Sequence, residues 1–353
     1  MKTVNLAVIG CGVIGPQHME SAKETEGVHL AALADVDESR VKAMAERFGV
    51  ELTYTDPIAL LDNPDIDGVV LALPAGFRAD LAAEALRRGK HIMLEKPAAR
   101  TVAELDTILK EAGDLVVASA SARYRLMPHV ETVQNFIASG KLGEIRSLHG
   151  RNLLPPGPPP AAPPPAWRVS RDLNGGGVLV NISSYEVDYL LGFLDYKVAP
   201  LTIMAHCWPI GPLFGKYVDP KSDAEEHFAA FIRCENNIAL YLERGERVAR
   251  PASAAMEIIG SNGSLILDML PNDNKVITWY SYDENGNQTE EVIWSGAETW
   301  QDTRRGIIRD FAAAIREGRP AITCGQRMRV VQQVMNGIYL SSDEQRPVSV
   351  EEI

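Results

Sequence analysis

The sequence predicts an α/β domain with a doubly wound parallel sheet, followed by an α+β domain with a mostly antiparallel sheet. In the first 120 residues, short apolar runs alternate with amphipathic stretches, which is typical of strand–helix–strand units. After residue 197, strand-like segments are separated by turns such as "SNG" and "ENGN", which favour antiparallel pairing. A length of 353 residues fits two domains, which we place at 1–120 and 121–353.

The elements of the first domain follow from its apolar spacing. "DESRVKAMAERFG" has Val41 and Phe48 at helical spacing, and "TVAELDTILKEAG" begins with Thr101 and Glu104 in a capping box. Apolar runs between the helices are typical of strands buried on both faces of a parallel sheet. These runs are "VNLAVIG", "VHLAALAD", "IDGVVLALP", "KHIMLEKP" and "DLVVASA".

The second domain starts with a helix in "PHVETVQNFIASGKLGEI" that ends at Gly140 and leads into a strand. Two further helices are predicted at 303–317 and 325–341. The segment "LPPGPPPAAPPPAW", residues 154–167, contains eight prolines and favours a stiff polyproline II conformation. It is either a surface linker or arm that touches another subunit, or a rigid loop bordering a pocket.

Composition excludes several classes of function. The formal net charge of −12 argues against nucleic acid or an anionic membrane as a partner. No apolar run is long enough to span a bilayer, and the N-terminus does not resemble a secretory signal. The four cysteines are scattered without a CxxC pair, so we expect neither a disulfide framework nor a metal site, and we expect a cytoplasmic protein.

The segment "AVIGCGVIG" places Gly10, Gly12 and Gly15 in the spacing GxGxxG between a predicted strand and a predicted helix. In a dinucleotide-binding turn the first glycine permits the tight turn, and the second lets the backbone approach a pyrophosphate at the helix N-terminus. The third glycine allows close packing of helix on sheet. Val13 and Ile14 complete this loop and are expected to border the cofactor.

Asp35 ends the second predicted strand, at the distance from the glycines that a ribose-binding acid requires. A carboxylate there accepts hydrogen bonds from the adenosine ribose and repels a 2′-phosphate, so NAD is favoured over NADP. Arg40 is close enough in sequence to leave NADP open as the less favoured cofactor.

The segment "GKHIMLEKPAA" ends a predicted strand with Glu95, Lys96 and Pro97. Ligands of open parallel sheets bind at the carboxyl ends of the strands, so Lys96 is expected to point toward the cofactor.

These motifs together resemble the glucose–fructose oxidoreductase, inositol dehydrogenase and MocA family over nearly the whole chain. The combination of glycine loop, Glu-Lys-Pro turn and glycine-led helix is specific, although each part alone is not. The matching segments are "GCGVIGPQH" at 10–18, "ALADVD" at 32–37, "GKHIMLEKP" at 89–97, "YRLMPHVETVQNFIASGKLGEIRSLHGR" at 124–151, "WR" at 167–168, "GGGVLVNISSYEVDYLLGFL" at 175–194 and "IIGSNGSLIL" at 258–267.

The resemblance implies an NAD-binding Rossmann domain joined to a substrate-binding domain with a large open antiparallel sheet, which forms homodimers or homotetramers. It implies NAD(P)-dependent redox chemistry on a sugar, cyclitol or related polyol. Lys96 would contact both nicotinamide and substrate hydroxyl, often after a cis peptide bond to Pro97. Glu95 and the Leu73-Pro74 backbone would line the cofactor cleft.

The chain departs from the family pattern at the proton relay. The usual aspartate and histidine, at i and i+4 of one helix, are replaced by Asn181 and Tyr185. A free phenol has a pKa of about 10, and a nearby Lys96 ammonium and nicotinamide charge would lower it. A shift of about two units, worth ~2.7 kcal/mol, would make Tyr185 a practical proton acceptor. Alternatively Lys96 accepts the proton, or Tyr185 only packs. Asp188 fits a structural aspartate of the family.

Several residues match family segments that face the substrate. Arg123 would bind hydroxyls or an anionic group, or form a structural salt bridge. Tyr124 accompanies it, and Trp167 would supply an apolar wall for a sugar ring or belong to the core. Arg168, which follows Trp167 in the matching "WR" pair, is a further substrate-binding candidate. Arg78, where the family often has histidine, would meet a substrate or cofactor group, or be solvated on a helix.

The leading hypothesis is an NAD-dependent dehydrogenase that oxidises a secondary ring hydroxyl of a sugar, glycoside or cyclitol. One candidate for the oxidised position is C3 of a glycoside. The runner-up is a redox-neutral, NAD-dependent glycoside hydrolase or lyase. In that reaction transient oxidation at C3 acidifies the C2 proton, and elimination expels the aglycone. The third hypothesis is a non-catalytic NAD-binding regulator.

Overall fold

The computed structural model describes residues 2–353, and the chain divides into two units. The first unit runs to Arg123 and also contains Gln301–Arg329, whereas the second contains Tyr124–Trp300 and Val330–Ile353. The structure thus differs from the predicted division at 120, chiefly because 301–329 belongs with the first unit. Among residues 2–353, no helix combines the length and the apolar composition needed to cross a membrane.

The first unit is built on a six-stranded sheet in the order β3-β2-β1-β4-β5-β6, in which every neighbouring pair is parallel. This order is the doubly wound arrangement that the alternation of strands and helices predicted. The elements are β1 Val4–Ile9, α1 Gly15–Glu24, β2 Val28–Ala34, α2 Glu38–Phe48, β3 Leu52–Tyr54, α3 Pro57–Leu61, β4 Gly68–Leu71, α4 Ala79–Arg87, β5 His91–Leu94, α5 Val102–Lys110 and β6 Val117–Ser119.

The second unit contains a nine-stranded sheet in the order β14-β13-β12-β11-β7-β10-β9-β8-β15. Its neighbouring strands are antiparallel except for β7 and β10, so the predicted mostly antiparallel sheet is confirmed. Its elements are α6 Pro128–Ala138, β7 Ile145–Leu153, α7 Arg171–Asn174, α8 Ser184–Phe193, β8 Pro200–Pro209, α9 Pro212–Gly215, β9 Glu225–Cys234, β10 Ala239–Gly245, β11 Ser253–Gly260, β12 Ser264–Ile266, β13 Lys275–Tyr282, β14 Gln288–Gly296 and β15 Val348–Ser349. Helix α10 Trp300–Glu317 lies in the first unit except for its first residue, and α11 Gly325–Glu344 begins in the first unit and continues in the second.

Residues 301–329 join the first unit through contacts with its N-terminal elements. Arg305 Nε donates to the Glu24 carboxylate at 2.6 Å, and Arg316 donates to the Gly27 carbonyl at 3.3 Å. Met328, near the start of α11, is buried in the core of that unit. Contacts between residues so far apart in sequence produce no local sequence pattern. The sequence therefore did not predict that 301–329 belongs to the first unit.

One face of the large sheet supports the hydrophobic core of the second unit. Phe228, Ile232 and Leu240 are fully buried there together with Leu190 of α8 and Ile338 of α11. The proline-rich segment follows β7, is exposed along most of its length, and ends in a 3₁₀ helix at Ala166–Val169.

Candidate active site

The glycine loop after β1 has the conformation that its motif predicted. Gly10 has φ of 106°, and a Cβ there would lie 2.5 Å from the Ala72 carbonyl oxygen. A Cβ on Gly15 would collide with the Gly10 carbonyl oxygen. A Cβ on Gly12, in contrast, would meet no described atom within 4 Å. The fold itself therefore requires Gly10 and Gly15, whereas the space beside Gly12 is open, as the approach of a pyrophosphate requires.

Asp35 connects this loop to the end of β2. One carboxylate oxygen accepts a hydrogen bond from the Cys11 N–H at 2.7 Å, and the other accepts from the Asp37 N–H at 2.9 Å. Each oxygen has further lone-pair capacity, so the carboxylate can still accept from ribose hydroxyls. Arg40 is exposed and pairs with Asp37, its Nε lying 3.2 Å from a carboxylate oxygen.

Exposed apolar side chains lie beside the glycine loop, which suits the binding of a dinucleotide. Of the large apolar side chains described in the first unit, the three most exposed are Val13 at 89%, Val36 at 85% and Phe77 at 62%. They follow the carboxyl ends of β1, β2 and β4, which lie at one edge of the parallel sheet. Ile14 is the N-cap residue of α1 and is half-buried. An apolar ligand surface at this edge would remove these side chains from water.

Glu95, at the end of β5, faces the interior of the first unit. Its carboxylate bonds to His18 Nε2 at 2.7 Å, accepts from the Lys96 N–H at 3.0 Å, and lies 3.5 Å from the Arg123 guanidinium. Burial alone would raise the pKa of Glu95, but the hydrogen bond from His18 and the charges of His18, Arg123 and Lys96 hold it well below its usual range. These contacts give Glu95 a role in positioning the turn, and its contact with the cofactor stays a prediction.

Lys96 is half-buried and precedes a cis peptide bond to Pro97, as the resemblance implied. Leu73 and Pro74 follow β4 and are also half-buried. Arg123 is only 8% exposed and lies beside Glu95, which corresponds to the salt bridge considered for it. Substrate binding by Arg123 stays a prediction.

Arg78 is not the solvated helix arginine that the sequence allowed, because its side chain is buried and its donors bond to backbone carbonyls. It is 2% exposed, and its guanidinium donates to the backbone carbonyls of Leu73, Glu95 and Pro97. The sequence contained no signal for this role, because every residue type carries a backbone carbonyl that can accept a hydrogen bond. His18 was likewise missed, although it lies within a segment that matched the family.

In the second unit, the segment that carries Asn181 and Tyr185 is held at its start by Glu225. This buried carboxylate accepts hydrogen bonds from the Gly177 N–H at 3.0 Å, the Leu179 N–H at 2.8 Å and the Tyr339 hydroxyl at 2.9 Å. It thereby satisfies backbone donors that a helix start leaves without partners. Glu225 carried no sequence signal for this role, because it lies on β9, far along the chain.

Asn181 and Tyr185 do not share one regular α-helix. A π-helical turn spans Leu179–Ser183, and α8 begins only at Ser184. The assumed i, i+4 relation of an α-helix therefore does not apply to this pair, and π turns are frequent at functional sites. The Asn181 amide oxygen accepts from the Asn174 side chain at 3.2 Å.

The structure brings Tyr185 and Tyr124 together. Both side chains are 5% exposed, and their rings meet edge to face with centroids 5.2 Å apart. Trp167 and Arg168 lie in the 3₁₀ helix after the proline-rich segment, where Trp167 is half-buried and Arg168 is exposed. Lys96 and the glycine loop belong to the first unit, whereas these residues belong to the second.

Helix α8 carries two buried acidic residues, each paired with an arginine. Asp188 lies 3.3 Å from the Arg125 guanidinium and Glu186 lies 2.8 Å from that of Arg244. Removing one partner of such a pair would leave an uncompensated buried charge, which costs about 3–5 kcal/mol. Asp188 is thus a structural aspartate, as the family resemblance implied.

A second buried network fixes the far side of α8. Glu298 accepts from the His129 ring Nδ1 at 2.7 Å and from Lys275, and His129 Nε2 accepts from the Tyr189 hydroxyl at 2.6 Å. Burial lowers the pKa of His129 and keeps its ring neutral, which suits a nitrogen that accepts from a phenol. The fold thereby positions Tyr189, one helical turn beyond Tyr185.

We expect the free energy of unfolding to fall as the pH drops from 7 to 5. Because the pKa of native His129 lies below 6.5, the unfolded chain binds a proton there that the native state excludes. Burial alone would raise the pKa of Glu298, but bonds from His129 and Lys275 hold it below 4.5, so Glu298 adds the same trend at lower pH. The loss for one proton is at most about 1.4 kcal/mol per pH unit.

Denaturant unfolding at several pH values measures this slope. His129→Gln should flatten it, because the substituted side chain does not titrate. An equal slope in wild type and His129→Gln would contradict the assignment.

The first unit defines a class of protein: a dinucleotide-binding α/β domain with a glycine loop, an acid after the second strand and a lysine at one edge of its sheet. Residues 4–120 match a model described as an oxidoreductase family with an NAD-binding Rossmann fold, and residues 130–266 match the C-terminal domain model of the same family. The chain belongs to the GFO/IDH/MocA family of oxidoreductases, whose first domain binds NAD.

Several known proteins are similar along the chain. Inositol 2-dehydrogenase 2 of Saccharopolyspora erythraea is 31% identical over 271 residues, which cover 75% of this chain and 73% of that protein. Myo-inositol 2-dehydrogenase of Thermotoga maritima is 23% identical over 99% of each chain. The structure of levoglucosan dehydrogenase with NADH and levoglucosan has the same fold, with a TM-score of 0.86 at 23% identity, covering 99% of this chain and 100% of that one.

Proposed function

We propose that this oxidoreductase transfers a hydride between NAD and a secondary ring hydroxyl of a sugar, glycoside or cyclitol. The observation that carries the proposal is the position of Lys96 at the end of β5, on the same sheet edge as the open glycine loop after β1. The names of the similar proteins, which are inositol and levoglucosan dehydrogenases, support this substrate class.

When bound, NAD supplies the acceptor for the hydride that leaves the carbinol carbon. The glycine loop holds the pyrophosphate through backbone N–H groups, and Asp35 accepts from the ribose hydroxyls. Lys96 binds the reacting hydroxyl and favours its ionisation through the charge of its ammonium. Tyr185, as the phenolate that the nearby positive charges favour, accepts the hydroxyl proton and becomes a neutral phenol as the carbonyl forms. If Lys96 accepts the proton instead, it must first be a neutral amine.

The remaining predicted contacts stay proposals for the substrate. We assign Asn181 and Tyr124 to hydroxyl binding, Trp167 to an apolar wall for the ring, and Arg168 to substrate binding beside it. Substrate binding by Arg123 also stays a proposal, and it requires guanidinium donors beyond those that face Glu95.

Turnover with a panel of free sugars, glycosides and inositols tests the reaction. Stoichiometric formation of NADH, followed by absorbance, supports the dehydrogenase. Aglycone release with NAD only in catalytic amount, together with solvent deuterium at C2, supports the redox-neutral hydrolase or lyase. Tight NADH binding without turnover on the whole panel would favour a regulator.

The homodimer or homotetramer also stays a proposal, as does a cytoplasmic location. The outer face of the large sheet supports self-association, because Met204 is 62% exposed, Phe231 is 49% exposed, and the two are paired in register across β8 and β9. Exposed large apolar side chains on one sheet face are typical of a surface that another protein covers.

A further inference from the structure

Arg78 is one of the largest fully buried side chains of the described protein, and the proposed reaction gives it no role. It follows the 3₁₀ helix Ala75–Phe77 and is the N-cap residue of α4. A buried guanidinium is costly unless its N–H groups find acceptors. The groups that accept its hydrogen bonds therefore indicate the structural role of Arg78.

All three acceptors are backbone carbonyls beside the proposed cofactor and substrate site. One is the carbonyl of Leu73, in the loop after β4, and the other two belong to Glu95 and Pro97. The distance to the Glu95 oxygen is 2.5 Å. Glu95 and Pro97 directly flank Lys96, so the guanidinium spans the backbone on both sides of the lysine.

The Lys96 peptide is held from a second direction as well. Its own N–H donates to the Glu95 carboxylate, which in turn bonds to His18. The backbone of Lys96 is thus fixed through the carbonyls before and after it and through its N–H. The side chain itself is half-buried.

A guanidinium suits this task better than other side chains. Its five N–H donors have a fixed planar arrangement and can reach several carbonyls at once. Burial lowers the pKa of Arg78 from 12.5 to about 10, against the opposing charges of Glu95 and Glu104, so the group remains charged near neutral pH.

We propose that Arg78 is a positioning residue for Lys96, because its guanidinium joins the loop after β4 to both backbone carbonyls that flank the lysine. The inference rests on the proposed role of Lys96 at the nicotinamide. Arg78 itself contacts neither cofactor nor substrate, and acts by holding the Lys96 backbone in one place.

The test compares Arg78→Lys and Arg78→Gln with Arg87→Gln, a half-exposed arginine of α4 that pairs with Glu84 and Glu111. With a substrate from the panel, both Arg78 variants should lower kcat by roughly 10- to 100-fold, since a misplacement of about 1 Å can cost that much. KM and NADH affinity should change much less, and the pH profile of kcat should shift. Arg87→Gln should behave as wild type.

A readout without substrate separates this inference from the proposed function. Acetylation of Lys96 by acetic anhydride, quantified by mass spectrometry, should be slowed by NAD in wild type and in Arg87→Gln. In Arg78→Gln that protection should be lost while NADH still binds. Should this variant not fold, Arg78→Lys carries the test, because a single ammonium cannot reach all three carbonyls.

The outcomes are distinguishable. Protection of Lys96 that survives in both Arg78 variants, with unchanged kcat, overturns the positioning role alone. If NAD fails to protect Lys96 in wild type, the proposed role of Lys96 fails, and the inference about Arg78 fails with it.

Discussion

Replacing Tyr185 with phenylalanine should lower kcat by roughly two to four orders of magnitude, the usual contribution of a general acid or base. The phenol is the group to which we assign the proton of the reacting hydroxyl, and phenylalanine cannot accept it. The ring contact with Tyr124, at 5.2 Å between centroids, is kept by the substitution. Steady-state kinetics, thermal unfolding and NADH binding of the purified variant measure the effect.

Tyr189 provides a matched control one turn along α8. Its hydroxyl donates to His129 at 2.6 Å in a buried network, so Tyr189→Phe should destabilise the fold by about 1–3 kcal/mol and leave kcat nearly unchanged. A low kcat in Tyr185→Phe with normal unfolding, beside the reverse in Tyr189→Phe, separates chemistry from packing. Unchanged turnover in Tyr185→Phe would eliminate the proton-transfer assignment and leave Lys96 as the acceptor.

Replacing Gly12 with alanine should weaken NADH binding by roughly one to two orders of magnitude, the equivalent of about 1–3 kcal/mol of steric overpacking. The protein itself has room for the added methyl group, because no described atom lies within 4 Å of that position. The backbone there does not require glycine either, since Gly12 is absent from the residues with positive φ. The clash therefore arises only when a pyrophosphate approaches. Isothermal titration with NADH measures the loss.

Gly15→Ala is the contrasting variant. Its methyl group would collide with the Gly10 carbonyl oxygen in the protein itself, so the variant should lose thermal stability even without NAD. Gly12→Ala should keep the melting temperature of the wild-type protein. Normal NADH affinity in Gly12→Ala would show that the dinucleotide does not pass over this loop.

Much of the fold was predictable because its determinants are local. Strand–helix alternation predicted the parallel sheet, and the helices expected at 303–317 and 325–341 occur at Trp300–Glu317 and Gly325–Glu344. The glycine spacing predicted a loop whose geometry requires Gly10 and Gly15. The family resemblance added the cis bond before Pro97, which no spacing rule predicts.

The errors and omissions concern contacts between distant segments. Three features depend on residues that are far apart in sequence. They are the return of 301–329 to the first unit, the anchoring of the segment before Asn181 by Glu225 and the contacts of Arg78. The π-helical turn at Asn181 is local, but its sequence fits the periodicity of an ordinary α-helix equally well, so the pattern could not distinguish the two.

The sequence by itself determined the class of this protein, because a glycine loop, an acid after the next strand and a lysine after a later strand encode chemistry through residue type and spacing. Only the tertiary structure decided which charged side chains are buried among internal partners and which stay open to solvent. Glu95 and Arg78 carry charges typical of binding residues, yet both are buried among internal partners. The orientation of a buried charged side chain depends on the hydrogen-bond donors and acceptors around it, and these come together only when the chain folds.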